Sequence, residues 1–131
     1  MTLSVQLVSP ERILFEGEAQ IVVARTIGGG DIAFETGHAP FLGALQVWPV
    51  VLRDETGTET RIASHGGFVQ VADDRVIILS DVAELGPDID VTRAQAALAR
   101  AESALDTDAD DAAATAALQR ARTRLEVAGA A

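Results

Sequence analysis

The sequence predicts a segregated α+β protein, with an N-terminal antiparallel β-sandwich or flattened barrel followed by a C-terminal antiparallel helical hairpin. Three observations carry this expectation. Short runs of mostly alternating apolar and polar residues recur through the first part of the chain, separated by turn residues. Composition changes abruptly near Gly86-Pro87, and beyond that point alanine-rich text repeats apolar residues at spacings of three and four. The division falls at residues 1–86 for the sandwich and 87–131 for the hairpin.

The strand text begins with Leu3, Val5 and Leu7, alternating with Ser4, Gln6 and Val8. Further runs follow at Ile13–Phe15, Ala19–Ala24, Leu45–Leu52, Thr60–Ala63, Phe68–Val71 and Arg75–Leu79. Turn signals stand between them at Glu16-Gly17, Gly28-Gly29-Gly30, Asp54 to Gly57, His65-Gly66-Gly67 and Asp73-Asp74. Trp48-Pro49 is expected at an edge or bulge, because proline cannot donate to a ladder.

After Pro87, Asp90 is placed to cap a helix running from Val91 to about Leu105. Val91, Ala94, Leu98, Ala101 and Leu105 share one face of it. The polar turn from Asp106 to Asp111 supplies caps for a second helix, where Ala114, Leu118, Ala121, Leu125 and Ala128 repeat the seam. Each methylene that alanine lacks forgoes about 0.8 kcal/mol of burial, so this hairpin is expected to dock weakly and to detach. A helix of this length is marginal alone and borrows stability from the sandwich or a partner.

Composition excludes several functions. The formal net charge is −10, from 20 acidic and 10 basic residues, which repels a polyanion and argues against nucleic acid binding. With no cysteine, disulfides, thiolate-bound zinc and thiol catalysis are ruled out. The first ten residues lack the pattern of a signal peptide, and no stretch has the length and apolarity of a membrane span. A soluble protein is expected, meeting a membrane only through partners.

The triple glycine lacks the Lys-Ser/Thr of a phosphate loop and reads as a turn. His38, His65 and Glu35 offer the donor types of a facial-triad metal site, while two histidines in glycine-flanked turns also arise by chance. Ser64 and His65 are adjacent, and on a strand they point to opposite faces, which disfavours a nucleophile–base pair. Gly37-His38-Ala39-Pro40 combines a permissive residue with a stiff one and suits either a docking loop or a plain corner.

Several segments carry a family resemblance over nearly the whole chain. They are Leu7-Val8-Ser9-Pro10-Glu11, Thr36-Gly37-His38-Ala39-Pro40-Phe41-Leu42, Gly66-Gly67-Phe68-Val69-Gln70-Val71, Val76-Ile77-Ile78-Leu79-Ser80-Asp81, Ile89-Asp90-Val91-Thr92-Arg93-Ala94 and Arg120-Ala121-Arg122-Thr123-Arg124-Leu125. In order and spacing the chain resembles the epsilon subunit of F-type ATP synthases. It departs from the usual Gly and Pro of that family at Ala33 and Thr36.

The resemblance implies a non-catalytic central-stalk subunit without a required cofactor. It would lie peripherally on the cytoplasmic side of the cell membrane. Its sandwich would join the gamma subunit and sit on the ring of c subunits, with Asp31, Gly37, His38 and Pro40 as the rotor contacts. Its hairpin would fold down or extend into the head of alpha and beta subunits and restrain ATP hydrolysis, its arginines facing an acidic beta-subunit segment.

Some members bind ATP as a regulatory ligand through the pattern Ile/Leu-Asp-x-x-Arg-Ala, which Ile89, Asp90, Arg93 and Ala94 match, with Glu84 at a further contact position. Arg93 and Arg100 share one helix face, as do Arg120 and Arg124, so a hairpin can converge four guanidiniums on a triphosphate. Against this stands a solvated role for the arginines, paired with Glu102, Asp106 or Glu126. Two other classes remain open from the residues: a small cupin-like metalloenzyme using Glu35, His38 and His65, and a free-standing adaptor whose hairpin binds an unrelated partner.

Overall fold

The computed structural model describes residues 1–130, and its elements follow the expected order. Ten strands come first: β1 (Leu3–Val8), β2 (Ile13–Ala19), β3 (Ile21–Thr26), β4 (Gly30–Phe34), β5 (Phe41–Ala44), β6 (Val47–Arg53), β7 (Glu59–His65), β8 (Phe68–Ala72), β9 (Arg75–Leu79) and β10 (Ala83–Leu85). A single 3₁₀ turn at Gly86–Asp88 leads into α1 (Val91–Thr107) and α2 (Ala112–Val127). The strands form two five-stranded sheets, ordered β2-β1-β9-β8-β5 and β10-β7-β6-β3-β4.

The core lies between these sheets. Leu3, Val5 and Leu7 of β1, with Val69, Val71, Val76 and Ile78, face Val22, Phe34, Val50, Leu52 and Ile62 of the other sheet, and all belong to one buried cluster. The period-two pattern of β1 therefore places its odd-numbered residues inward. At about 1.5–3 kcal/mol for each large aliphatic side chain, this cluster dominates the stability of the chain.

Several local expectations are corrected. Gly17 is not a turn: it lies inside β2, where the Phe15 ring covers it, and a Cβ there would meet Phe15 Cζ at 3.0 Å. The break falls instead at Gln20, which splits the Ala19–Ala24 run between β2 and β3. Strands β4, β5 and β10 had no clear alternating text, since they are short and are defined by pairing with β3, β8 and β7. β1 and β9 run parallel in an otherwise antiparallel sandwich, a pairing that needs a long crossover, here everything from β2 to β8. Pro49 sits in an interior strand rather than at an edge, but β3 pairs with β6 only at Val51–Arg53 and meets the chain again at the Thr26–Leu45 bridge, so the proline falls in an interruption of that ladder, as a bulge would place it.

The hairpin begins as expected. Asp90 caps α1 by accepting from Arg93 N at 3.0 Å, and Asp111 caps α2 by accepting from Ala114 N at 3.0 Å. α1 runs two residues beyond the expected Leu105, to Thr107. The helices pack through buried Ala94, Ala101, Ala114 and Ala121, while Leu98, Leu105 and Leu118 remain half-exposed. Only α2 touches the sandwich extensively, against β6 and β7, through buried Thr123, Leu125 and Val127. α1 is thus held mainly by its partner helix. Among the described residues no helix is long and apolar enough to cross a membrane.

Candidate functional site: the groove under the hairpin

The helix pair and the sandwich enclose a groove of about 690 Å³, within the range of about 300–1,000 Å³ usual for small-molecule sites. Arg93 and Arg100 line it from α1 and Arg120 and Arg124 from α2. Glu84 of β10 lines it too, with Asp88 and Asp90 from the segment leading into α1 and Asp111 from the cap of α2. Alanines complete the wall, including Ala94, Ala97, Ala104 and Ala117. The small side chains that weaken the seam also keep this space open.

Seven of the eight residues proposed to meet a nucleotide therefore converge. The exception is Ile89, which is 8% exposed and packs against Ala63 and Val127 beneath the junction. Its place in the pattern is explained by anchoring the start of α1. Among the described residues Arg93, Arg100 and Arg120 form no ion pair, and none joins Glu102, Asp106 or Glu126. Three guanidiniums are available to a polyanion, and the acidic residues beside them can accept from hydroxyl or amino groups.

The fourth arginine is engaged. Arg124 Nε donates to Glu84 Oε1 at 2.6 Å, and His65 Nε2 lies 3.3 Å from the same oxygen. This chain of three groups joins β7, β10 and α2. The imidazole is 4% exposed, and burial, followed by the charge of Arg124, holds its pKa below the ordinary histidine value of 6.5. Its Nδ1 is buried with no hydrogen-bond partner. Close by, Gln119 Nε2 donates to Val47 O at 3.2 Å, and the Thr123 hydroxyl donates to Gln119 O at 2.8 Å. Sequence reasoning missed this junction. Its one local signal was the pair Gln119 and Thr123, polar residues four apart in the row that leads to Val127.

His65 is thus tied to the hairpin. His38 instead sets its ring edge against Phe34 at 5.0 Å between centroids, with Nδ1 2.7 Å from Ala39 O. No group of three or more His, Cys, Asp or Glu among the described residues is arranged to hold a metal ion.

The proposed rotor contacts fall in two places. Gly37, with φ +83°, starts the corner after β4, and its amide donates to Asp74 Oδ1 at 2.7 Å, so the loop is braced by the β8–β9 turn. Gly37 and Pro40 are exposed there, and His38 is half-buried. Asp31 stands at the other end of β4, beside the glycine turn. Its carboxylate takes two bonds from its cross-strand neighbour Arg25, at 2.9 and 3.2 Å, and that guanidinium lies 3.7 Å over the Trp48 ring. The Arg25 bonds hold the Asp31 pKa below the usual carboxylate range.

A β-sandwich that carries a helical hairpin seated on it mainly through α2, with arginines and carboxylates together lining the groove between them, defines a protein of two dissimilar parts. Residues 2–86 match the beta-sandwich domain of the ATP synthase delta/epsilon chain, and residues 88–129 match its long alpha-helix domain. The chain belongs to the ATP synthase delta/epsilon chain family.

It is 46% identical to the ATP synthase epsilon chain of Streptomyces griseus over 104 residues, covering 79% of this chain and 83% of that one. Identity to the ATP synthase epsilon chain of Thermobifida fusca is 48% over 103 residues, covering 76% and 74%. The fold also recurs in a chain of the Euglena gracilis mitochondrial ATP synthase, at a TM-score of 0.70 and 20% identity, covering 98% of this chain and 78% of that one. A chain in the central stalk/c-ring structure of the Tetrahymena thermophila mitochondrial ATP synthase gives a TM-score of 0.58 at 14% identity, covering 98% and 97%.

Proposed function

We propose that the chain is the epsilon subunit of an F-type ATP synthase, a rotor component without chemistry of its own. The sandwich joins the gamma subunit and rests on the c-subunit ring, and the loop of Gly37, His38 and Pro40, with Asp31, meets the ring. The complex, rather than any segment of this chain, brings it to the cytoplasmic face of the membrane. The hairpin restrains ATP hydrolysis when it leaves the sandwich and reaches the alpha–beta head. Folded down, it takes up ATP as a regulatory ligand.

The observation that carries the nucleotide reading is the convergence of Arg93, Arg100, Arg120 and Arg124 with Glu84 and Asp90 around one groove. Guanidiniums in fork geometry suit a triphosphate, and the two carboxylates suit ribose and adenine donors. Tight binding is unnecessary. Free ATP at ten times its dissociation constant stabilises the closed form by about 1.4 kcal/mol, enough to bias a hairpin held by an alanine seam.

Calorimetry of the full chain with MgATP tests the reading, with wild type beside Arg93→Ala. Saturable binding at or below physiological millimolar ATP is expected, weakened by the substitution. No heat up to that concentration, or equal binding by the variant, would rule the sensor out.

A further inference from the structure

Glu84 and Arg124 are shared with the nucleotide groove, but His65, which joins them from β7, has no part in the stalk or nucleotide roles. We propose that proton uptake by His65 releases α2 from the sandwich, which makes these three residues an acid-sensitive latch on the hairpin.

The geometry favours one protonation state. With its proton on Nε2, neutral His65 donates to the Glu84 carboxylate, and its Nδ1 is left as a bare acceptor. A second proton must go to Nδ1, where no acceptor is within reach. The result is a cation with an unsatisfied donor, 4% exposed, beside an arginine. Docked, the junction resists that proton.

Released, it does not. Every charged group around the imidazole can be assigned to a side of the junction. Glu84 of β10 favours the imidazolium and stays with the sandwich, while Arg124 and Arg120 of α2 oppose it and depart with the helix. Asp81, after β9, lines a second groove together with His65 and also stays. β6 sets the uncharged Val47 and Trp48 opposite β7 here. Undocking therefore removes both repelling charges and the cover that α2 provides, and it leaves two carboxylates behind. The released form binds the proton more tightly, so protons favour release.

The sign follows from the direction of the shift. The docked imidazole titrates below 6.5, so docking is strongest above that pH and weakens as pH falls through the window beneath it. Asp31, Asp54 and Glu59 are held below their ordinary 3.8, 3.8 and 4.5, so their titration lies under this window. All three belong to the sandwich.

The chain lacks cysteine, so one label can be placed at Glu55→Cys and another at Arg122→Cys, both exposed positions. Label-to-label distances in the full chain report the docked and released populations. Between about pH 7.5 and 5.5 the docked-to-released ratio is expected to fall by about threefold or more, and to stay constant in His65→Gln. A ratio that does not change in the wild type, or that falls equally in His65→Gln, overturns the latch. Should that variant fail to fold, the His65 ring-proton resonance of the wild type decides: a titration midpoint that coincides with the midpoint of the label-distance change supports the proposal, and one displaced from it refutes it.

Discussion

A Cβ on Gly86 would stand 2.9 Å from the carbonyl oxygen of Val127, so the hinge between the two parts of the chain touches the end of its last helix. Only a hydrogen fits between them. This contact, with Ile89 packed on Ala63 and Val127, closes the hairpin back onto β7, the neighbour of the strand it grew from.

Gly86→Ala is therefore expected to push α2 outward without disturbing the sandwich. Overpacking of this kind costs about 1–3 kcal/mol. Amide exchange in α2 should accelerate while that of β1, β8 and β9 is unchanged. Equal exchange in both helices and strands would show that the close approach is absorbed locally.

The sandwich is expected to fold alone. Its main buried cluster contains no residue beyond Ile78, and the half-buried residues packed on it end at Leu85. A fragment ending at Leu85 should unfold in one cooperative transition and retain gamma-subunit binding. Loss of cooperativity would mean that α2 completes the core. The surface it uncovers on β6 and β7, around Ala63 and Val47, should make the fragment more prone to associate.

Two glycines in left-handed backbone should respond very differently to alanine. At Gly67, φ is +101° and a Cβ would lie 2.0 Å from Leu79 O, inside the β8–β9 ladder. Gly57 has φ +85° with nothing within 4 Å. Gly57→Ala is expected to cost about 1 kcal/mol of backbone strain, and Gly67→Ala several times that, because the strand itself must move. Urea midpoints of the two variants test this ordering directly.

Removal of residues 87–131 from the assembled enzyme is expected to raise ATP hydrolysis and to leave proton-driven synthesis largely intact. The basis is the light seating of the hairpin, where a single α1–α2 leucine, Leu125, is fully buried. Hydrolysis that is no faster under any nucleotide condition would remove the restraining role.

The sequence by itself determined the two-part architecture. Period-two text and spacings of three and four are local properties, and each dictates a face that must be buried, as with Leu3, Val5 and Leu7 or with Ala94, Ala101, Ala114 and Ala121. Asp90 and Asp111 announced their helices because a cap acts within three residues. The arginine cluster was legible as well, since i, i+4 and i, i+7 spacing on two antiparallel helices restricts where four side chains can point.

What the tertiary structure alone decided was everything that depends on partners distant in the chain. The ladder of β10 is supplied by β7, Gly17 is paired within β2 to Val5 of β1, and the Gly37 amide is taken up by Asp74 across 37 residues. The junction of His65, Glu84 and Arg124 spans three elements, and Val47 meets Gln119 across 72 residues. No window of sequence contains these pairs. Their existence rests on which face of α2 turns to the sandwich and which to α1, and a helix whose seams are nearly all alanine does not say which from its own pattern.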